Sequence, residues 1–360
     1  MPVGTDEPMK VIDFTAIVTA AWQGYDTTRS IESLIDVSVH VSTNHVFKLT
    51  LSDGEIVFAK LSYYGKYVYF QEDHTIINAL ARALPPPYEK FLARSLTKNG
   101  KVYLYRQVVS KIDVWVVFYN PVELGIKLPK QSGEASIVKL GQQLADFHLA
   151  CASVRKSLPG SSKTLRSDIQ LLRGYIRTTE GRYEFRGHID DIEDHTTRFH
   201  EQCHRFNYDQ FLQLPVFIDW NIGNFSVTDE GVFFSRWDYD WFRVSSRVLD
   251  FYFFSRVVSE AGDQTVFSYE VSTLMEERFL LFLKSYHHTY PLTIDEVHFI
   301  KEAYRFFILN YVIKDGRYFF HDYYANRLQR EAFQHYLPNL DKDLNTELLV
   351  ENLQIPSATR

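Results

Sequence analysis

Phe217-Ile218-Asp219-Trp220-Asn221-Ile222-Gly223-Asn224-Phe225-Ser226-Val227 sets a carboxylate five residues ahead of an amide and then runs into a short apolar strand. Fourteen residues past that amide comes Asp238, inside Arg236-Trp237-Asp238-Tyr239-Asp240. Phosphoryl transfer requires a group that receives or orients a hydroxyl proton, and hard oxygen ligands that hold magnesium against nucleotide phosphates. Asp219, Asn224 and Asp238 are residues of these types. Magnesium keeps several waters and takes one or two protein carboxylates, so one Asn and one Asp make an adequate protein share. An Asp and Asn pair seen alone would equally serve to hydrogen-bond a turn.

Working outward, the first hundred residues read as a small sheet. Strands are expected at 37–41, 45–51 and 55–61, the last two joined around Asp53-Gly54, a pair that accepts the positive φ of a tight hairpin. Ile76, Ile77, Leu80 and Leu84 recur at helical spacing through 71–84, which Pro85-Pro86-Pro87 ends. A second hairpin, 91–96 with 102–107, is expected around Asn99-Gly100. Five strands and one inserted helix result. Beyond Val109 the pattern becomes mainly helical, with helices expected at 134–150 and 190–205 and from 269 to 336 with a break near Tyr290-Pro291. One stretch of strand and loop, 214–239, interrupts them and carries the motif. The expected division is 1–108, 109–345 and a tail, 346–360.

In the strand Ile56-Val57-Phe58-Ala59-Lys60-Leu61, alternation puts Lys60 on the face of Ile56 and Phe58. A cation ending an apolar strand face needs a partner, or it snorkels from a sheet edge.

Together these segments resemble the aminoglycoside phosphotransferase and choline kinase superfamily, itself similar to protein kinases, which uses D-x-x-x-x-N followed by an aspartate after a short hairpin. The resemblance implies an α+β, two-lobed, protein-kinase-like fold: a small five-stranded antiparallel N-lobe with one helix and a larger, mainly helical C-lobe. It implies ATP and Mg2+ as cofactors and transfer of the γ-phosphate to a hydroxyl of a small molecule, whether aminoglycoside, sugar, choline-like or homoserine-like. Asp219 then is the catalytic base or hydroxyl-positioning residue, and Asn224 and Asp238 are the magnesium ligands. Asp250 in Arg247-Val248-Leu249-Asp250-Phe251 is a structural aspartate. Lys60 meets the α and β phosphates and pairs with Glu72, Asp73 being the next choice. Ser42 and Asn44, in the turn Ser42-Thr43-Asn44, cover the phosphates, and Gln107 and Val108 in Arg106-Gln107-Val108 offer the adenine its hinge hydrogen bonds. His148 in Leu144-Ala145-Asp146-Phe147-His148 is a structural histidine. One departure stands out: many members have His-Gly before the catalytic aspartate, and this chain has Phe217-Ile218. A degenerate relative that binds nucleotide without turnover is therefore a second reading.

Composition narrows the partners. The 360-residue chain is 45% hydrophobic and 23% charged with a formal charge of −6 and no basic run, which disfavours nucleic acid and favours a small ligand. Nothing approaches the roughly 20 consecutive apolar residues of a membrane span. Two distant cysteines, Cys151 and Cys203, and an opening MPVGTDEPMK without an apolar signal core point to a reducing cytoplasm. The acidic balance, with 28 Phe and 23 Tyr, leans toward a cationic or sugar acceptor. A rival motif, His200-Glu201-Gln202-Cys203-His204, matches the zinc hydrolase pattern H-E-x-x-H, though its surroundings are polar and no third ligand is evident.

Overall fold

The computed structural model of the chain describes residues 12–262 and 268–355, so the opening MPVGTDEPMK lies outside the described residues. Two compact units are distinguished, one of residues up to 71 with 94–121, the other of 72–93 with those from 122 onward. The smaller begins with α1 (Phe14–Tyr25), capped by the Asp13 carboxylate, which accepts from the Ala16 amide at 3.0 Å. It continues through β1 (Ile31–Asp36), β2 (His45–Leu51), β3 (Ile56–Ser62) and α2 (Tyr67–Ala83), whose first residues alone belong to this unit. After β4 (Thr97–Lys98) and β5 (Lys101–Val102) come β6 (Leu104–Val109) and β7 (Ile112–Tyr119). Five of these strands form one antiparallel sheet in the order β1-β2-β3-β7-β6. Its core is built where Val18 and Trp22 of α1 meet Leu49, Ala59, Val116 and Phe118.

The expected strand number, antiparallel pairing and inserted helix are all present, but three strands are placed differently. The first lies at 31–36, where Asp36 pairs Phe47, and the alternating run that follows leaves Val37 and Val39 exposed in a loop. Residues 91–96 make only isolated bridges, Leu92 to Arg236 and Ser95 to Tyr119. The Asn99-Gly100 turn does form, with φ of +53° and +76°, between strands of only two residues. The missing fifth strand is β7, inside the stretch expected to be helical. It therefore carries the sheet past the boundary expected at 108.

The larger unit is mainly helical: α3 (Glu134–Val154), α4 (Leu165–Tyr175), α5 (Thr179–Glu184) and α6 (Ile189–Arg205). Four short strands follow, β8 (Gln213–Val216), β9 (Phe225–Val227), β10 (Phe233–Arg236) and β11 (Arg243–Ser246). Next come α7 (Phe251–Val258), α8 (Glu277–Thr289), α9 (Ile294–Phe307), α10 (Gly316–Phe319), α11 (Asp322–Glu331), α12 (Leu337–Asp343) and α13 (Thr346–Leu353). The break between α8 and α9 falls at Tyr290-Pro291 as expected, and a capping box of Thr293 and Glu296 restarts the helix. The tail expected at 346–360 is a helix over its first part, with Leu349 and Leu353 buried; residues 356–360 lie outside the described ones. Cys151 on α3 and Cys203 on α6 are both fully buried free thiols. Among the described residues no helix is long and apolar enough to cross a membrane.

Candidate active site

Two small antiparallel pairs fold residues 213–246 back on themselves. β8 pairs β11, with Val216 opposite Arg243, and β9 pairs β10, with Phe225 opposite Arg236. The second pairing puts Asn224, just before β9, beside Trp237, just after β10; the Trp237 amide donates to the Asn224 carbonyl at 3.0 Å. Asp238 follows at once, exposed and with φ of +64°. Asp219 lies in the loop that leads into β9, and the Asn224 side-chain amide donates to its carbonyl at 3.4 Å. Burial first and the charge of Asp238 second push the Asp219 carboxyl up to about 7, against the opposing pull of Arg236 and Arg256. That repulsion between neighbouring carboxylates is what a divalent cation would relieve, and Asn224 and Asp238 are hard oxygen donors suited to magnesium.

From Asp219 to Ile222 the loop alternates outward and buried residues. Phe217, Trp220 and Ile222 are buried, whereas Asp219, Asn221 and Asn224 keep partial access to solvent. Trp220 packs against Phe233 at 5.3 Å and Phe254 at 4.9 Å between ring centroids, an anchor worth roughly 2–3 kcal/mol by the usual burial scale. Beneath the loop, Asp250 accepts from the amides of Phe217 at 3.0 Å and Ile218 at 2.6 Å. His148 Nε2 donates to the other Asp250 oxygen at 2.9 Å, and its Nδ1 accepts from the Tyr286 hydroxyl at 2.8 Å. Burial holds the imidazole below its ordinary pKa, so it is neutral and this tautomer satisfies both contacts. Arg247, three residues before Asp250, forks onto Glu296 with two 2.8 Å bonds.

Where Gly would be at ease, Ile218 has φ of +60°. A β-branched residue in that region costs on the order of 1–2 kcal/mol. The two amide bonds to Asp250 hold the turn there. A third support was not foreseen from sequence: Arg236, with no exposure, lies against the rings of Phe217 at 4.6 Å and Trp220 at 4.2 Å. Its Nη2 donates to the Asp219 carbonyl at 2.9 Å, while Nε and Nη1 find no partner among the described residues. Asn221 was also missed; its Nδ2 donates to Asp219 Oδ1 at 2.5 Å. Neither follows a sequence signal, since both depend on contacts made only once the loop has closed.

The other expected residues are placed as follows. Lys60 is buried, paired across the sheet with Val46 and Val117, and its neighbours Ala59 and Leu61 point to the α1 core, so Lys60 takes the opposite face. The Glu72 carboxylate accepts from the Ser161 hydroxyl at 2.9 Å and the Ser162 amide at 2.6 Å, so it holds a loop of the larger unit. Asp73 takes Lys163 at 2.5 Å, and burial raises its carboxyl to about 6. Ser42 accepts from the Asn44 amide at 3.1 Å, and the Asn44 side chain accepts from the Ser62 hydroxyl at 2.6 Å, which ties the turn to the end of β3. Gln107 and Val108 do not stand at the exit from the sheet. They lie within edge strand β6, which turns back at Ser110 and Lys111 into β7, and the chain leaves only after Tyr119.

The H-E-x-x-H segment falls on α6, whose buried side is Ile192, Thr196, Phe199 and Cys203, so an apolar stripe is present after all. Metal binding is opposed by charge: Arg166 Nη1 lies 3.1 Å from His204 Nε2, and Arg166 and Arg173 add to burial in lowering the His200 pKa. No group of three or more His, Cys, Asp or Glu suited to a metal occurs among the described residues. Glu201→Gln should leave any turnover within about twofold, as expected of an exposed surface change; stoichiometric zinc by elemental analysis would contradict this.

No family model and no curated protein matches the chain. Solved structures do. A microcompartment-associated aminopropanol kinase is 14% identical, with 92% of this chain and 99% of that one covered at a TM-score of 0.57. An amicoumacin kinase, solved with AMP-PNP, Ca2+ and its antibiotic, is 13% identical over 85% and 90%, at 0.56. A type I macrolide 2'-phosphotransferase is 14% identical over 90% and 99%, at 0.53. With its five-stranded sheet, mainly helical larger unit and these structural neighbours, the chain has a two-lobed, protein-kinase-like α+β fold.

Proposed function

We propose that this chain is an ATP-dependent phosphotransferase acting on a hydroxyl of a small molecule. The observation that carries the reading is the meeting of Asp219, Asn224 and Asp238 at one end of the β9–β10 hairpin, with the Asp219 carboxyl near neutrality. In the reaction the acceptor O–H bond breaks and its proton passes to Asp219. The acceptor oxygen bonds the γ-phosphorus, and the bridging P–O bond breaks with its electron pair going to ADP. A carboxyl that titrates near 7 suits a general base working near neutral pH. Asn221 and Arg236 hold that carboxylate and its backbone in place. Asn224 and Asp238 would hold magnesium, which supplies charge neutralisation at the phosphates. Lys60 serves the α and β phosphates, and backbone groups near Tyr119, where the chain leaves the sheet, take over the adenine role first expected at Gln107 and Val108.

Structural neighbours that are small-molecule kinases support the reading, as does a TM-score of 0.56 to a protein solved with a nucleotide analogue. The test is consumption of ATP, with magnesium, against a panel of hydroxylated metabolites and antibiotics. Absence of ADP formation in the presence of tight nucleotide binding would favour the second reading, a binding protein without turnover, which the strained Ile218 in place of glycine motivates. Lys60→Met should weaken AMP-PNP binding roughly 10- to 100-fold, the scale of a lost charge-assisted hydrogen bond. Titration calorimetry checks this, and unchanged affinity would remove Lys60 from the site.

A further inference from the structure

Five arginines are buried among the described residues. Arg243, Arg247 and Arg305 each meet a carboxylate, of Asp168, Glu296 and Glu302 respectively. Arg236 has none, but it is wholly enclosed and spent on the catalytic loop. Arg256, on α7, is the remaining one. It is 7% exposed, its guanidinium lies 5.1 Å from the Phe253 ring and 5.2 Å from the Tyr269 ring, and among the described residues no carboxylate pairs with it. Its one side-chain hydrogen bond is a long one, 3.4 Å from Nη1 to Asn221 Oδ1.

Most of its five donors bond no described group, and none of its nitrogens is both sealed from solvent and unpartnered, so they remain open to an anion from outside. A planar guanidinium laid against two aromatic rings on one side is also a preformed fork for a carboxylate, because little side-chain freedom remains to be lost on binding. Its position gives that anion a role. Asn221 bridges Arg256 to Asp219, accepting from the first and donating to the second at 2.5 Å, so the guanidinium stands one side chain away from the carboxylate assigned as base.

We propose that the phosphate acceptor is a hydroxy acid, its hydroxyl presented to Asp219 and its carboxylate held by Arg256. This rests on the phosphotransferase reading and deepens it. It also reverses the expectation of a cationic acceptor drawn from overall charge, because the sign next to the reacting group outweighs the net charge of a distant surface. The acceptor needs its carboxylate a few bonds from the hydroxyl, so that both reach their groups across the span of one asparagine.

The experiment uses the full chain with ATP or AMP-PNP and magnesium. D-glycerate, L-homoserine and L-serine are compared with glycerol, choline and kanamycin by ADP release and by thermal shift. Turnover and stabilisation confined to the acids are expected. Arg256→Met should raise KM for the active acid at least about tenfold, on the scale of a lost charge-assisted pair, without a matching rise for ATP; Arg256→Lys should restore part of it. Preference for choline, kanamycin or glycerol overturns the proposal. So does an acid KM unchanged in Arg256→Met, or nucleotide binding with no response to any acid. Failure to bind AMP-PNP at all overturns instead the phosphotransferase reading, and this proposal with it.

Discussion

Asparagine in place of Asp219 should lower kcat by about 10² to 10⁴ fold, the range for a general base, and at the same time raise the melting temperature at pH 8. The two effects share one cause. Burial and the Asp238 charge lift the Asp219 carboxyl from its usual acidic range to about 7 in the folded chain. Its folded pKa is thus above the unfolded value, so its contribution to stability is fully present below about pH 4 and is lost as pH rises through 7. The neutral amide escapes that loss. Asn can still accept from the Asn221 side chain, which donates to Oδ1 in the native protein. With magnesium bound, which relieves part of that repulsion, kcat/KM of the native chain should therefore rise with pH through a midpoint below 7. A loss of less than tenfold in Asp219→Asn, with the pH profile unmoved, would take the base role from this residue.

Asp250→Ala should cost about 3–5 kcal/mol, because it strands two buried backbone donors and a buried imidazole at once. In a chain of this size that corresponds to a fall of roughly 4–7 °C in melting temperature. The amides concerned belong to Phe217 and Ile218, so the turn that holds Ile218 at positive φ loses its clamp. Activity should fall further than stability alone explains, seen as lower kcat at temperatures where circular dichroism reports a folded protein. Asp250→Asn keeps one accepting oxygen and should be milder in both readouts. Equal effects of the two variants would mean that the accepting oxygen kept by the amide does not hold the loop, and that the charge of the carboxylate, rather than its bonds to the two amides, is what matters.

The motif segment was legible because its geometry is local. Five residues of loop and a short hairpin bring Asp219, Asn224 and Asp238 together wherever the surrounding chain goes. Asp53-Gly54 and Asn99-Gly100 were legible for the same reason, a backbone requirement that few residue types meet. Strand β7 was not. Its centre, Val114 to Phe118, is buried on both sides between β3 and β6, so the period-two signal of a half-buried strand is absent. The run at 37–41 has that alternation and lies outside any strand, since β2 takes 31–36 as its partner. Misplacing β7 also put Gln107 and Val108 at the exit from the sheet, whereas they lie within β6. Arg236 and Arg256 stayed hidden because nothing in the sequence marks a guanidinium whose partners are rings and carbonyls from distant segments.

Phe217, where the resemblance drawn from sequence led to an expectation of histidine, has a physical account in its contacts. Its ring packs on Trp220 at 6.1 Å, Phe242 at 5.3 Å and the Arg236 guanidinium, so an apolar and cation–π support replaces whatever a polar ring would supply. Asp219 and its neighbours are therefore the groups to test first.

The two sealed thiols on α3 and α6 give this chain an intrinsic clock. Burial raises the pKa of both sulfurs, so neither is a ready nucleophile while the helices stay packed. Alkylation by a small maleimide must therefore wait for the larger unit to open, and mass spectrometry of the labelled peptides can time that opening with and without nucleotide, no engineered probe being required.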